Sequence, residues 1–441
     1  MMRRISFFAA SVLSVVAFGC GGSDSPAQST GSTSGAHTTT TSTGGVGGSG
    51  GAGGSGGSGG SSAGTGGSDF VVGPHSKAPQ VRNLGGPVLK TPKMIAVTYD
   101  QDVNQGEIDK FMTELAASSY WAATTSEYGV GPLTIGAPIH IATPAPKTIT
   151  DADFTQQLKA NLSGANPAWG MADANVVYTF VLPEGSTIDS NGVCCDGGYD
   201  AYHDELAVGN TKVAYSVVCT CPGFDGPGIN TLGSVTTALS HETIEAVTDP
   251  FVQSKPAFGA TADTDVGWSQ ITEGEVADMC EFDADQYLTP ADMHYLVQRS
   301  WSNAAAAAGK DPCVLPSIPA DVYFNSAPLM TDTVNAGWYF GTVKATGVKI
   351  PIGQTKTIDV QLWSDSPTSG PWQVAAHDYG EAYNGKANLK LTLDKTSGNN
   401  GDVLKLTIQV LQADPAFASE PFYLESTLGN ASNIWMGVVG Q

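Results

Sequence analysis

The stretch from Leu239 to Pro250 reads LSHETIEAVTDP, and His241, Glu242 and Glu245 make an H-E-x-x-E pattern within it. The run before it, from Thr231 to Ala238, holds no proline and predicts a helix that continues through the motif. On a helix, positions i and i+4 share a face. His241 and Glu245 therefore project together, with Glu242 about 100° round the axis. Two ligands one turn apart, with a carboxylate beside them to take a proton from water, suit a divalent metal. Thr248, Asp249 and Pro250 end the helix, because proline cannot continue it and disfavours helical geometry in the residue before it. The bland alternative is a solvated helix face, where His and Glu are common. A second acidic pair, Glu275 and Asp278 in EVAD ahead of Cys280, adds weight to the metal.

Composition bounds the rest. The 441 residues allow two or three domains. Lys and Arg number 20 against 42 Asp and Glu, a net charge of -22. Phosphate backbones demand a basic face, so nucleic acid is excluded as a partner. The same balance suits an exported protein and a cation binder.

The N-terminus reads as a targeting segment. Arg3 and Arg4 precede an apolar run from Ile5 to Phe18 that is too short to span a bilayer. With Gly19 and Cys20 it resembles a bacterial lipoprotein signal over residues 1–20, in which Cys20 becomes lipidated and ties the chain to a membrane. Ala17 stands where Leu is usual, and Phe18 where a small residue is usual. Residues 21–68 are mostly Gly, Ser and Thr, which predicts a disordered tether. The expected location is the bacterial cell envelope, lipid-anchored at the outer membrane or cell surface.

Six further cysteines are Cys194, Cys195, Cys219, Cys221, Cys280 and Cys313. An even count in an exported chain predicts three disulfides. The expected links join the 194/195 group to the 219/221 group, and Cys280 to Cys313. Their spacings do not match a structural zinc site.

Along residues 69–315 the pattern alternates. Lys93–Tyr99, Pro138–Ile141, Asn175–Leu182, Val213–Val218 and Leu296–Gln298 read as strands, and Gln105–Ser118 and Asp151–Leu162 as helices. Thr150 or Asp151 caps the second helix. His140 reads as structural. Gly192–Leu206, which carries Tyr202 and His203, reads as a loop, 251–274 as a polar connection, and Glu275–Glu281 as a short helix. Interleaving of this kind predicts an α/β or α+β domain. From 316 to 441 the pattern changes to short alternating segments such as Thr355–Trp363 and Val403–Val410, separated by turns such as SGNNGD at 397–402. This predicts an all-β sandwich of immunoglobulin-like size. It serves as an accessory binding module or as packing for the first domain.

The helix motif with Glu275 and Asp278 is similar to that of thermolysin-like zinc peptidases. The likeness implies His241, Glu245 and Glu275 as ligands, with Asp278 orienting His241 and the last two roles open to exchange. The departure is Glu245, which stands where the second His belongs. A set of one His and two carboxylates is harder than the usual zinc set and also admits Ca²⁺ or Mn²⁺. Between about Gly85 and Cys313 the chain also resembles the phosphate-induced/Exordium-like family and its bacterial HExxE metallopeptidase-like relatives. The likeness rests on Ser240 to Glu242, Glu245, Ala246, Thr248 to Pro250, Glu275 to Asp278 and Cys280. Tyr202 and His203 add weaker support, as do Gln298 and Trp301 to Asn303. It covers about half the chain and implies an extracellular or wall-associated protein, without implying a reaction.

Two functions are therefore expected. One is a surface-anchored zinc-dependent hydrolase, a peptidase, with Glu242 as general base and His203 or His294 stabilising an oxyanion. The other is a non-catalytic extracellular protein that binds wall polymer or a partner.

Overall fold

Alternating side chains along three parallel strands set the architecture of the N-terminal half. The computed structural model describes residues 70–164, 166–188, 194–195, 199–315, 322–338, 341–413 and 418–441. The expected signal and tether, with Cys20, lie outside the described residues. In chain order the elements are β1 (Lys93–Asp100), α1 (Gln105–Ala117), α2 (Ser119–Thr125), β2 (Thr134–Ile135), β3 (Ile139–Pro144), β4 (Thr148–Ile149) and α3 (Asp151–Asn161). There follow β5 (Val176–Leu182), β6 (Thr187–Ile188), β7 (Ala201–Val208), β8 (Thr211–Cys219), α4 (Thr231–Thr248) and α5 (Val266–Thr272). β1, β5 and β8 pair in parallel; β2 and β3 add to β1, and β7 closes the other edge antiparallel to β8.

Side chains alternate between the two faces of a strand. Met94, Ala96, Val177, Val181, Ala214 and Val218 point one way, into a core shared with α1, α2 and α4. Ile95, Val97, Tyr178, Phe180, Tyr215 and Val217 point the other way, onto Phe154 and Leu158 of α3. Both faces are covered, which is why these strands read as unbroken apolar runs. Thr150 caps α3: its side chain accepts from Asp153 N at 3.2 Å, while Asp153 accepts from Thr150 N at 2.8 Å. His140 has a structural setting, bonded to Thr98 at 2.8 Å and facing Asp109 at 3.3 Å.

The C-terminal part is largely β, with one short helix at Tyr379–Asn384 where an all-β sandwich was expected. Phe324–Pro328, Thr355–Ser364, Val403–Val410 and Leu389–Leu393 make one sheet. Asp332–Trp338, Gly341–Lys349, Ala431–Gly440, Ser419–Leu428, Trp372–Asp378 and Ser397–Gly398 make the other. Val360, Leu406 and Ile408 from the first share a core with Val374, Phe422 and Leu424 from the second.

Phe70 to Gln441 cluster as one compact unit. The reason is visible in four tryptophans: Trp268 lies 5.4 Å from Trp301 and 5.7 Å from Trp435, and Trp435 lies 5.2 Å from Trp363, all edge to face. Gln270 of α5 also donates to Gly337 O and Ser419 Oγ. Among the described residues, no helix is long and apolar enough to cross a membrane.

Candidate metal centre

α4 carries small, apolar and hydroxyl side chains, with hydroxyls such as Thr237, Ser240 and Thr248 bonded back to the helix's own carbonyls, and the fold buries it on most sides. Asn230 caps its start, accepting from Gly233 N at 2.7 Å, and it ends at Thr248, ahead of Pro250. Its only ionisable side chains, His241, Glu242 and Glu245, all line one cavity of about 490 Å³. The cavity is walled by His203 of β7, by the turn from Glu273 to Asp278 and by Gln298.

His241 Nε2 lies 3.0 Å from Glu245 Oε2 and 3.3 Å from Asp278 Oδ1. Ligand atoms on a tetrahedral cation with bonds of ~2.0–2.2 Å stand about 3.3–3.6 Å apart, so the spacing fits. Gln298 decides which way the imidazole works. Its Nε2 donates to Ala277 O at 3.0 Å, which leaves its Oε1 as the acceptor, 3.2 Å from His241 Nδ1. A neutral His241 therefore carries its proton on Nδ1, and the Nε2 lone pair faces two carboxylate oxygens. Gln298 is itself pinned: its N–H donates to Ser240 Oγ at 2.9 Å, and Tyr120 OH donates to its carbonyl.

Glu245 is held equally firmly. Its Oε1 accepts from Ala277 N at 3.0 Å and Asp278 N at 3.1 Å, which leaves Oε2 for a cation. Burial opposes its ionisation, but His241 beside it and the two amides keep its carboxyl below the usual range. Burial pushes the Asp278 carboxyl well up, as does the Glu245 charge. Burial also opposes charge on His241, yet Glu245, Asp278 and Glu242 hold its pKa well above the usual histidine value. Asp200, Asp225, Asp249 and Glu281 line the cavity too, and among the described residues no Lys or Arg does. Negative charge concentrated round an imidazole is what a bound cation relieves.

The turn that delivers Asp278 has a local cause. Glu273 and Gly274 both take left-handed backbone, at φ 64° and 96°, and break the chain away from α5. A Cβ on Gly274 would sit 2.6 Å from Ser269 Oγ. Glu275 N then donates to Asp278 Oδ2 at 3.3 Å, and Cys280 is disulfide-bonded to Cys313. The other bridges are Cys194–Cys219 and Cys195–Cys221, joining the two expected groups at the end of β8.

Of the two roles left open to exchange, Asp278 takes the place beside His241 Nε2, while Glu275 Oε1 faces His203 Nε2 at 3.8 Å. Gln298 contacts the other ring nitrogen of His241. Several other expectations need correction. His203 lies on a strand rather than in a loop, with a side chain only 4 % exposed. His294 lines no part of the cavity; its side chain is 87 % exposed and bonded to Glu114 at 3.0 Å. The segment read as a polar connection contains α5, which buries Val266, Trp268 and Ile271. The short helix expected over Glu275–Glu281 is a single 3-10 turn at Asp278–Cys280.

No protein-family model and no curated protein matches the chain. Among solved structures it is similar to domains 4 and 5 of the S-layer protein SbsC, at 14 % identity and a TM-score of 0.16, over 26 % of this chain and 52 % of that one. It is also similar to domains 1–6 of SbsC, at 13 % identity and a TM-score of 0.16, over 36 % of this chain and 25 % of that one. A family 123 glycoside hydrolase from Clostridium perfringens matches at 13 % identity and a TM-score of 0.16, over 26 % of each chain. The chain thus spans about half, or less, of the structures it matches, and likeness at this level carries no argument about fold or function.

Proposed function

We propose that the protein is a zinc-dependent hydrolase, a peptidase, whose cation is held by His241 Nε2, Glu245 Oε2 and Asp278 Oδ1. One observation carries the reading: His241 Nε2, its ring turned by the Gln298 contact at Nδ1, faces two carboxylate oxygens at 3.0 and 3.3 Å. The donors fit Zn²⁺, and a set this rich in oxygen also fits Mn²⁺ or Ca²⁺. A cation bound there supplies a Lewis acid that makes water nucleophilic at neutral pH.

Glu242 is the base in this reading. It follows His241 on α4 and its carboxylate opens on the same cavity. It takes a proton from the attacking water and returns it to the leaving amine. His203 keeps the Glu242 carboxylate in place from 3.3 Å away. Preference for a peptide rests on β7. Among the described residues it is the outer strand of its sheet, paired with β8 alone, and its Ala201, Tyr202 and His203 line the cavity. An extended chain can pair with such an edge.

On this reading the mixed sheet over α4 is a metallopeptidase-like arrangement, and the C-terminal sheets are an immunoglobulin-like support. The whole belongs at the cell envelope, held by a lipid on Cys20, where peptides or peptide-bearing wall polymer are the substrates. The test is elemental analysis of the purified protein beside its His241→Ala variant, followed by a peptide-cleavage screen with Glu242→Gln as control. One zinc per chain, lost in His241→Ala, with cleavage abolished by Glu242→Gln, is expected. Cation binding with no cleavage of any peptide by the parent protein would instead favour a non-catalytic surface protein.

A further inference from the structure

His203 is the side chain the first cation position does not use. It lies on β7 with its ring almost wholly inside the protein, and its Nε2 makes no hydrogen bond. Its Nδ1 is 3.3 Å from Glu242 Oε2 and 3.8 Å from Glu245 Oε2. These three atoms fall close to the spacing of ligands round one small cation. The Glu245 oxygen is the same one that faces His241, because Glu245 Oε1 is taken by two backbone amides. A histidine bound to a metal through one nitrogen donates its other N–H to a carboxylate. Glu275 Oε1, 3.8 Å from His203 Nε2, stands where that carboxylate is needed.

The cavity wall also suits a cation: Glu242, Glu245, Glu275 and Asp278 line it, and among the described residues no Lys or Arg does.

We propose that His203 Nδ1, Glu242 Oε2 and Glu245 Oε2 form a second cation position that shares the Glu245 oxygen with the first and, when filled, disables the general base. The proposal rests on the first position assigned above. Two like charges sharing one oxygen repel, so the second ion binds more weakly than the first. A cation on Glu242 Oε2 draws charge from the whole carboxylate, so its other oxygen becomes a much weaker proton acceptor. Activity therefore rises as the first position fills and falls as the second does. The site is its own brake against excess metal.

The test titrates the chelator-stripped full chain with Zn²⁺ by equilibrium dialysis, with circular dichroism as a check on folding. Two equivalents are expected, the second at least tenfold weaker. His203→Ala and Glu242→Gln should each keep the tight equivalent and lose the weak one, while His241→Ala should lose the tight one. Glu242→Gln keeps the shape of the side chain, so it decides the matter if His203→Ala does not fold. Hydrolysis by the parent protein should peak near one equivalent and fall severalfold at two. A single equivalent at saturation, lost in His241→Ala, overturns the second position and leaves the first standing. A second equivalent that survives both His203→Ala and Glu242→Gln is bound elsewhere and also overturns it. No binding at all overturns the proposed function itself.

Discussion

His241 Nδ1 lies 3.2 Å from Gln298 Oε1, and the Gln298 amide cannot turn round without losing its bond to Ala277 O. The neighbour therefore dictates the direction of the imidazole lone pair. Gln298→Leu should weaken cation binding ~10–100-fold, the usual cost of losing such a partner. Gln298→Glu keeps an acceptor and should bind at least as tightly as the parent. Competition against a coloured chelator reads both, and equal affinity in the Leu variant would remove the orienting role.

Asp278 and Glu275 are separable. Asp278→Asn should release the tightly bound cation, because Asp278 faces His241 Nε2 directly. Glu275→Gln should retain it, because Glu275 faces His203. Metal content of the two purified variants distinguishes them, and the reverse pattern would restore the thermolysin-like assignment of Glu275.

Acid should favour the folded state through Asp249. Burial pushes its carboxyl up to about 6, against the pull of the Ala257 amide. The unfolded value is about 3.9. The folded state thus holds this proton more tightly, and the stability it brings is complete below about pH 4 and lost as pH rises through 6. The loss is on the order of 3 kcal/mol. In chelator-stripped protein, Asp249→Asn should melt higher relative to the parent at pH 7 than at pH 4. A difference that is constant with pH would contradict this.

Gly259 is a spacing element beside the same carboxylate. A Cβ there would stand 2.6 Å from Asp249 Oδ2 and 3.6 Å from Glu275 Oε1. Gly259→Ala should cost ~1–3 kcal/mol, as overpacking does. Denaturant melts check this, and a loss below about 0.5 kcal/mol would mean that the Asp249 side chain yields freely.

What the sequence disclosed follows the range of the forces involved. α4 was legible because its period, its lack of proline and Pro250 are local signals. β1, β5 and β8 were legible because both their faces are buried. β7 was not: AYHDELAV lines an acid-walled cavity at a sheet edge, so its polar residues read as loop. Nor was α5, whose Val266, Trp268 and Ile271 are spaced among polar residues and stabilised by strands far along the chain. The cysteine groups paired as read, because each group lies close along the chain to the end of a strand or turn that meets its partner. Gln298 escaped notice as a partner of His241 because the two are 57 residues apart and no local pattern joins them.

The Cys280–Cys313 bridge sits two residues beyond Asp278. It therefore does more than staple a loop. In a reducing compartment those thiols stay apart, and the turn that carries a ligand lacks its anchor. On the proposed reading of an exported hydrolase, a chain still inside the cell that makes it should thus be a blank, and oxidation outside should set the site. The timing of that oxidation would then keep such a hydrolase from acting on its own maker.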